Sequence, residues 1–183
     1  MMFSFEITDG IALGIIEERH ADEFFALVRR NYERVLAWCP WLDQVESVEK
    51  TKKFIQEKLT RFADGNGFTA GIFDDGNLVG VIALEYIDRP NRATEVGYWL
   101  DAGAEGKGLI VRTCGALIGY AFHDLGLNRI QIRCAAENVR SRAIPERLGF
   151  VQEGVIRQCE RLHDRTVDLV IYGMLADEWK SRN

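Results

Sequence analysis

The chain has few of the residues that build metal centres and disulfide frameworks. Its four cysteines are widely spaced with no C-x-x-C pair, and its three histidines are equally scattered. Such spacing excludes a disulfide framework and a zinc site, so we expect no metal. No serine or cysteine elbow accompanies a histidine, as a hydrolytic triad would require. The sequence therefore argues against hydrolases and metalloenzymes.

Long apolar runs and an excess of positive charge are also absent. The apolar runs at 78–84 and 169–176 are far too short to cross a bilayer, and residues 1–8 carry no basic cluster. The net charge of −5 disfavours nucleic acid as a partner, because most sequence-independent affinity for nucleic acid comes from neutralising phosphates. We therefore expect a cytoplasmic protein with neither a membrane nor a nucleic acid as its partner.

The chain has enough apolar sequence for one folded domain over residues 1–183. Of its 183 residues, 47% are hydrophobic and 28% are charged, which suits a domain with a sizeable core. Hydrophobic periodicity predicts the order β-αα-βββ-α-β-α-ββ. The strands are predicted at 11–16, 68–73, 78–87, 93–100, 130–134, 151–161 and 166–175, and the helices at 21–36 (as one or two), 47–62, 109–126 and 138–148. This order indicates an α/β (α+β) fold with a mixed, mostly antiparallel, seven-stranded sheet flanked by helices.

The most informative segment is a glycine loop between the strand at 93–100 and the helix that follows. Residues 105–110 read EGKGLI. The helix places apolar residues on one face at Ile110, Cys114, Leu117, Ala121 and Leu125. The first N–H groups of a helix lack intrahelical partners and lie at the positive end of its macrodipole, so they bind anions such as a pyrophosphate. Gly106 and Gly108 let a phosphate approach the backbone, although glycines at such a junction are also common as plain turn residues.

Four further motifs accompany the loop. They read GYWLD at 97–101, NVRS at 138–141, LGF at 148–150 and QCERL at 158–162. Together with the glycine loop, they resemble the GCN5-related N-acetyltransferase (GNAT) family, and within it the RimL type, which acetylates the N-terminal serine of a ribosomal stalk protein. The resemblance covers nearly the whole chain and implies the GNAT fold for the seven-stranded sheet.

Three positions depart from the family pattern. Glu105 stands where the family has Gln or Arg, and Ile110 stands where it has a small residue. A carboxylate beside a pyrophosphate would repel it unless the side chain turned outward. Pro145 lies inside the helix predicted at 138–148, where it removes one hydrogen bond and should kink the helix.

The resemblance implies acetyl-CoA as the co-substrate and direct transfer of its acetyl group to a primary amine in a ternary complex. It implies Glu160 as the general base and Ser141 as the acid that protonates the departing thiolate. The residues expected to bind the cofactor are Trp99, Leu100, Gly106, Lys107, Gly108, Leu109, Ile110, Cys134 and Asn138. Backbone N–H groups near the first two are expected to stabilise the oxyanion. Cys134 is expected on a strand that splays from the Tyr98 strand.

The acceptor side is less determined. Trp38, Trp41 and Tyr86 are expected to wall the acceptor groove, with packing at the edge of the core as the alternative. The residues alone also allow Glu160 to pair with a neighbouring arginine and Ser141 only to start a helix. The implied acceptor is the N-terminal α-amine of a ribosomal protein. The alternatives are a small amine (a polyamine, an aminoglycoside or an amino-acid-like compound) and a CoA-binding module without activity. The family also implies a homodimer.

Overall fold

The computed structural model describes residues 4–8, 10–163 and 165–181. Its strands are β1 Ser4–Thr8, β2 Ile11–Ile15, β3 Phe68–Asp74, β4 Asn77–Asp88, β5 Ala93–Leu100, β6 Arg129–Ala135, β7 Val151–Leu162 and β8 Arg165–Leu175. They form one eight-stranded sheet in the order β1-β2-β3-β4-β5-β6-β8-β7. Neighbouring strands are antiparallel except for β5 and β6, which are parallel.

Helices cover both faces of the sheet. They are α1 Ala21–Arg30, α2 Tyr32–Leu36, α3 Val48–Ala63, α4 Leu109–His123, α5 Val139–Leu148 and α6 Ala176–Lys180. Cys114 of α4 belongs to one apolar cluster, and Phe24 of α1 and Phe54 of α3 belong to another. The β4 neighbours Val81 and Ile82 contribute to different clusters, so the two clusters lie on opposite faces. None of the described helices is long and apolar enough to span a membrane.

Local sequence signals set the helix boundaries that matter for the site. Ser47 caps α3 by accepting a hydrogen bond from the N–H of Lys50 at 3.2 Å, and Asn138 caps α5 by accepting from the N–H of Ser141 at 3.1 Å. Gly149 closes α5 in the left-handed conformation, with φ at 77°. The segment 68–100 forms the predicted antiparallel meander of β3, β4 and β5.

The predicted count of seven strands is wrong by one, because β1 was missed. This strand lies at the sheet edge and pairs with β2 alone among the described strands, and Phe5 on it is 53% exposed, so it lacks the buried apolar face that marks the inner strands. The segment predicted as one or two helices at 21–36 is two, which meet at Asn31. The helix predicted to end at Gly126 ends at His123, and α6 was not predicted. The fold class is confirmed.

The sheet opens between β5 and β6. These strands pair only where Ala93–Glu95 meets Arg129–Gln131. Beyond that point β5 continues to Leu100 against β4, and β6 continues to Ala135 against β8. The two strands therefore diverge, as predicted for the strands of Tyr98 and Cys134, and a cleft separates their facing edges.

Candidate active site

A cavity of about 1160 Å³ occupies the cleft between the diverging strands. It extends from the glycine loop, past the start of α5, to β7 and the segment that follows α2. Strand edges without a strand neighbour offer backbone donors and acceptors to an extended ligand. The cleft can therefore hold a long flexible arm in the position of the missing strand pairing.

The glycine loop lies at one end of this cavity. Gly106 and Gly108 have φ angles of 80° and 71°, and a Cβ built on either glycine would meet no atom within 4 Å. Gly108 is the N-cap of α4, and no side chain caps the helix. The first N–H groups of α4 thus face open space at the positive helix end, and this arrangement fits the pyrophosphate of coenzyme A. Lys107, which was expected to bind the cofactor, pairs its ammonium with Asp74 Oδ2 at 2.9 Å and is absent from the cavity lining.

The structure shows how the chain accommodates Glu105 beside this anion site. Arg34 of α2 pairs with its Oε1 atom, and Arg140 of α5 pairs with its Oε2 atom at 3.1 Å. All three side chains line the cavity. Because two guanidinium groups surround one carboxylate, the local charge next to the glycine loop is positive.

Residues at the junction of α1 and α2 form hydrogen bonds to Asp101 and Ala102, where the chain enters the glycine loop. Asn31 is 3% exposed; its amide donates to Asp101 Oδ1 at 2.7 Å, and its Oδ1 accepts from the N–H of Ala102 at 3.0 Å. Arg30 donates to Asp101 Oδ2 at 2.8 Å. Sequence reasoning missed these contacts, since they join side chains about 70 residues apart.

A hydrogen-bonded group of three side chains lies on the α5 side of the cleft. The Ser141 Oγ lies 3.2 Å from Cys134 Sγ and 3.4 Å from the Tyr98 hydroxyl oxygen. Burial raises the pKa of Cys134 and of Tyr98, so both groups keep their protons at neutral pH. Asn138, not the Ser141 hydroxyl, caps α5, which leaves that hydroxyl available for chemistry.

Glu160 reaches the cavity from β7. The register between β7 and β8 shifts between Ile156 and Glu160, and Gln158 has a φ of 48°. Such an irregularity re-aims the side chains that follow it. Glu160 is half-buried and lines the cavity, and no ion pair joins it to Arg157 or Arg161 within the described ranges.

Two further acids, which sequence reasoning missed, line the same cavity as Glu160. Glu95 is 9% exposed and pairs with Arg133 at 2.8 Å, so its charge is compensated. Glu85 is half-buried over Gly97, where an added Cβ would lie 2.5 Å from its Oε1. Burial, followed by the charges of Glu85 and Glu160, raises the pKa of Cys39 to about 12. The carboxylates of Glu85 and Glu160 therefore face the same part of the cavity. The sequence signal that could have pointed to Glu95 is Arg133, an arginine on an alternating strand, because such a side chain needs an acidic partner.

The three aromatic residues expected around the acceptor all line the cavity. Trp41 stacks on Phe54 with ring centroids 5.7 Å apart, and Trp38 packs under the guanidinium of Arg165. Tyr86 is 37% exposed, and its hydroxyl accepts a hydrogen bond from the Gln131 amide at 3.2 Å. The three rings thus border the same cavity as Glu85 and Glu160.

No metal site accompanies these groups. Within residues 4–8, 10–163 and 165–181, no three His, Cys, Asp or Glu side chains lie together in an arrangement that could hold a metal ion. The four cysteines are free thiols. The lining of the cavity includes carboxylates, hydroxyls, guanidinium groups and the thiols of Cys39 and Cys134.

Comparisons with known proteins agree with this geometry. Residues 12–151 match the Acetyltransferase (GNAT) domain family. The chain is 37% identical over 180 residues, 98% of each chain, to YdaF of Bacillus subtilis, whose name assigns it provisionally to the ribosomal N-acetyltransferases. It is 29% identical over 177 residues to the ribosomal-protein-serine acetyltransferase of Escherichia coli, covering 97% of this chain and 99% of that one.

Solved structures give the same result. The RimL ribosomal L7/L12 α-N-protein acetyltransferase, in complex with coenzyme A and with a disulfide between coenzyme A and a cysteine, superposes with a TM-score of 0.92. It is 26% identical, and the match covers 96% of this chain and 99% of that one. The microcin C7 self-immunity acetyltransferase MccE, in complex with acetyl-CoA and AMP, has a TM-score of 0.88 at 27% identity, over 92% of this chain and 94% of that one. The chain therefore belongs to the GNAT family and is an acetyl-CoA-dependent N-acetyltransferase.

Proposed function

We propose that this enzyme acetylates the N-terminal α-amine of a ribosomal protein that begins with serine. The observation that carries the proposal is a single cavity bordered by the glycine loop, by Ser141 and by Glu160. A cofactor bound in the cleft and an amine beside Glu160 would thus meet in one space. The names of the Escherichia coli relative and of the RimL neighbour support a ribosomal acceptor.

Glu160 is the proposed general base. A free α-amine has a pKa near about 8 and is mostly protonated at neutral pH, so it must lose a proton before it attacks. Glu160 takes this proton, directly or through a water molecule, because its half-buried carboxylate borders the cavity. Glu95 is less suited to this role, since its carboxylate is already paired with Arg133.

Ser141 is the proposed acid. When bound, acetyl-CoA supplies an acetyl group that is activated as a thioester. As the nitrogen–carbon bond forms and the carbon–sulfur bond breaks, Ser141 gives its hydroxyl proton to the departing sulfur. Glu160 releases its proton to solvent, the nitrogen loses its second proton to solvent as the amide forms, and Ser141 takes up one proton from solvent to restore its hydroxyl. The disulfide between coenzyme A and a cysteine in the RimL neighbour supports a cofactor sulfur close to Cys134, which lies 3.2 Å from Ser141.

The backbone provides the remaining chemistry. β5 borders the cleft up to Leu100, and a backbone N–H of Trp99 or Leu100 would donate to the carbonyl oxygen as its charge develops. The N–H groups at the start of α4 would hold the pyrophosphate, with Gly106 and Gly108 leaving room for it. Binding and charge stabilisation thus depend on backbone positions and not on removable side chains.

A small amine is the second candidate acceptor. Glu85 and Glu160, which form no ion pair with another described residue, face one part of the cavity and suit a compact cationic substrate. The neighbour solved with AMP supports acceptors other than proteins on this fold. A polyamine or an amino-acid-like compound would use the same base and the same cofactor site.

The first experiment measures acetyl-CoA turnover by release of free thiol. The acceptors are peptides that begin with Ser, Ala or Met, polyamines and aminoglycosides, and the enzymes are wild type, Glu160→Gln and Glu137→Gln. We expect turnover on the Ser peptide, with one acetyl group on its N-terminus by mass spectrometry. Loss of a general base predicts a decrease in kcat of about a hundredfold or more for Glu160→Gln. Glu137→Gln removes another acid of the same cavity and should retain activity.

Each other outcome contradicts part of the proposal. Turnover on small amines alone would assign the second candidate. Full activity of Glu160→Gln would move the base to another carboxylate, with Glu85 the first to test. Tight binding of coenzyme A without turnover of any amine in the panel would contradict both proposed acceptors.

A further inference from the structure

Pro145 occupies a position in α5 where proline is costly. It lies in the interior of the helix Val139–Leu148 and is buried. Proline has no N–H and its ring crowds the carbonyl four residues earlier, which here belongs to Ser141. The Ser141 carbonyl therefore lacks the normal helical hydrogen bond, although α5 continues through the proline.

Tyr98 provides the missing donor. Its hydroxyl oxygen lies 2.9 Å from the Ser141 carbonyl oxygen, although the two residues are 43 positions apart in the chain. A carbonyl oxygen can only accept, so the hydroxyl must donate its proton. A tertiary hydrogen bond from β5 thus replaces the helical bond that Pro145 removes.

This bond fixes the direction of the hydrogen bond between the hydroxyl groups of Tyr98 and Ser141. The only proton of the Tyr98 hydroxyl is used at the carbonyl, so the Tyr98 oxygen can only accept from Ser141 Oγ, 3.4 Å away. This bond holds the Ser141 hydroxyl before the reaction, and the hydroxyl turns away from Tyr98 when it gives its proton to the departing sulfur. Ser141 Oγ in turn lies 3.2 Å from Cys134 Sγ at the cleft edge. Burial raises the pKa of Tyr98 and of Cys134, so both groups stay protonated at neutral pH.

We propose that Pro145 and Tyr98 are positioning residues for Ser141: the proline frees the Ser141 carbonyl, the carbonyl holds the Tyr98 hydroxyl, and that hydroxyl holds the Ser141 hydroxyl beside the cofactor cleft. The proposal rests on the proposed function, in which Ser141 protonates the departing sulfur. Neither residue needs to touch the substrate. Their effect on the reaction passes through the orientation of one hydroxyl group.

Replacement of the proline should change stability and activity in opposite directions. Pro145→Ala restores an N–H that bonds the Ser141 carbonyl within α5, and alanine is the best helix former, so the melting temperature should rise. The carbonyl turns back toward the helix axis and the Tyr98 bond weakens. We expect kcat for the Ser peptide to fall about fivefold, the effect of one neutral hydrogen bond. KM for acetyl-CoA should stay unchanged, because the glycine loop is not altered.

A double-mutant cycle with Tyr98→Phe tests whether the two residues act together. Tyr98→Phe keeps the ring and removes the hydroxyl, and it should lower kcat by about the same factor. In the Tyr98→Phe background, Pro145→Ala should lower kcat no further while still raising the melting temperature. Pro90→Ala, in the exposed turn between β4 and β5, is the matched control and should leave kcat unchanged.

The outcomes separate this inference from the proposed function. An unchanged kcat in Pro145→Ala, or additive effects on kcat in the double variant, would overturn the positioning role while leaving the acetyl transfer intact. The free energies of unfolding of the four proteins form a second cycle that needs no acceptor. If no amine is turned over, the proposed function fails, and a non-additive stability cycle still supports the link between Pro145 and Tyr98. Additive stabilities would contradict that link.

Discussion

At the scale of single residues, Glu105 is the departure from the family pattern that the structure explains best. Arg34 and Arg140 approach opposite oxygens of its carboxylate, so the expected repulsion of a pyrophosphate is compensated. The pairs are partly exposed, and such pairs contribute only about 0–1 kcal/mol each. They can therefore exchange at little cost when a stronger anion arrives.

This geometry predicts that Glu105→Gln binds coenzyme A more tightly, by roughly fivefold. Without the carboxylate, both guanidinium groups are available to the phosphates of the cofactor, which arginine binds in a bidentate geometry. Isothermal titration calorimetry with coenzyme A measures the effect. It should disappear in an Arg34→Met, Arg140→Met background. Glu137→Gln, which removes an acid paired with Arg165 in the same cavity, should not change the affinity.

A gain from Glu105→Gln that persists in the background without either arginine would indicate simple repulsion by the carboxylate. Weaker binding by Glu105→Gln would mean that the carboxylate holds the loop in its binding conformation. Both results contradict exchange of the arginines between carboxylate and phosphate.

At the scale of elements, the N-terminus of α4 is the part of the cofactor site that depends on backbone conformation. Gly108 has a φ of 71° with open space around its Cα, so its hydrogen atom leaves room that a methyl group would fill. Gly76, in the turn between β3 and β4, has a φ of 79° and equally open surroundings, but it lies outside the cavity lining. A residue with a Cβ would therefore be strained equally at the two positions, but only Gly108 lies beside the cavity.

We predict that Gly108→Ala weakens binding of coenzyme A by roughly tenfold, because its methyl group occupies the approach to the first N–H groups of α4. Gly76→Ala is the matched control. Both variants should lose about 1–2 kcal/mol in the free energy of unfolding, since both place a Cβ in the left-handed region. Calorimetry and urea denaturation measure the two effects. An equal change of affinity in both variants would show that strain, and not the phosphate site, is responsible.

At the scale of the whole molecule, buried cysteine thiols with raised pKa values make the free energy of unfolding depend on pH in the alkaline range. Burial raises the pKa of Cys114, which is fully buried, and raises that of Cys39 to about 12. A folded protein that holds a proton more tightly than its unfolded chain is most stable below the unfolded pKa. This stability is lost as the pH rises from the ordinary thiol value near 9 toward the folded value.

The free energy of unfolding should therefore fall between pH 9 and pH 12, by about 1.4 kcal/mol per pH unit for each thiol that stays protonated only in the folded state. Urea denaturation at pH 8 and pH 10.5 measures the loss. Cys114→Ala should be less stable than wild type at pH 8, because it leaves a cavity, but it should lose less between the two pH values. An identical loss in both proteins would exclude Cys114 as a source of the pH dependence.

The fold could be predicted further than the site. Caps and turns are local, so Ser47, Asn138 and Gly149 mark helix boundaries in the sequence and in the structure alike. The edge strand β1 was missed because its formation depends on pairing with β2, which a local pattern does not show. In the site, the glycine loop, Ser141, Cys134 and Glu160 were predicted and border one cavity. Their catalytic roles remain predictions.

The sequence by itself determined the order of helices and strands from β2 to β8, the anion-binding loop before α4 and the likeness to a family, because periodicity, capping and turn chemistry act between neighbours in the chain. Only the tertiary structure decided where β5 and β6 part, which acids stay unpaired, and what Tyr98 does for the carbonyl that Pro145 frees. Those contacts join residues tens of positions apart, and their geometry depends on how whole elements pack. A pattern among neighbouring residues therefore cannot predict them.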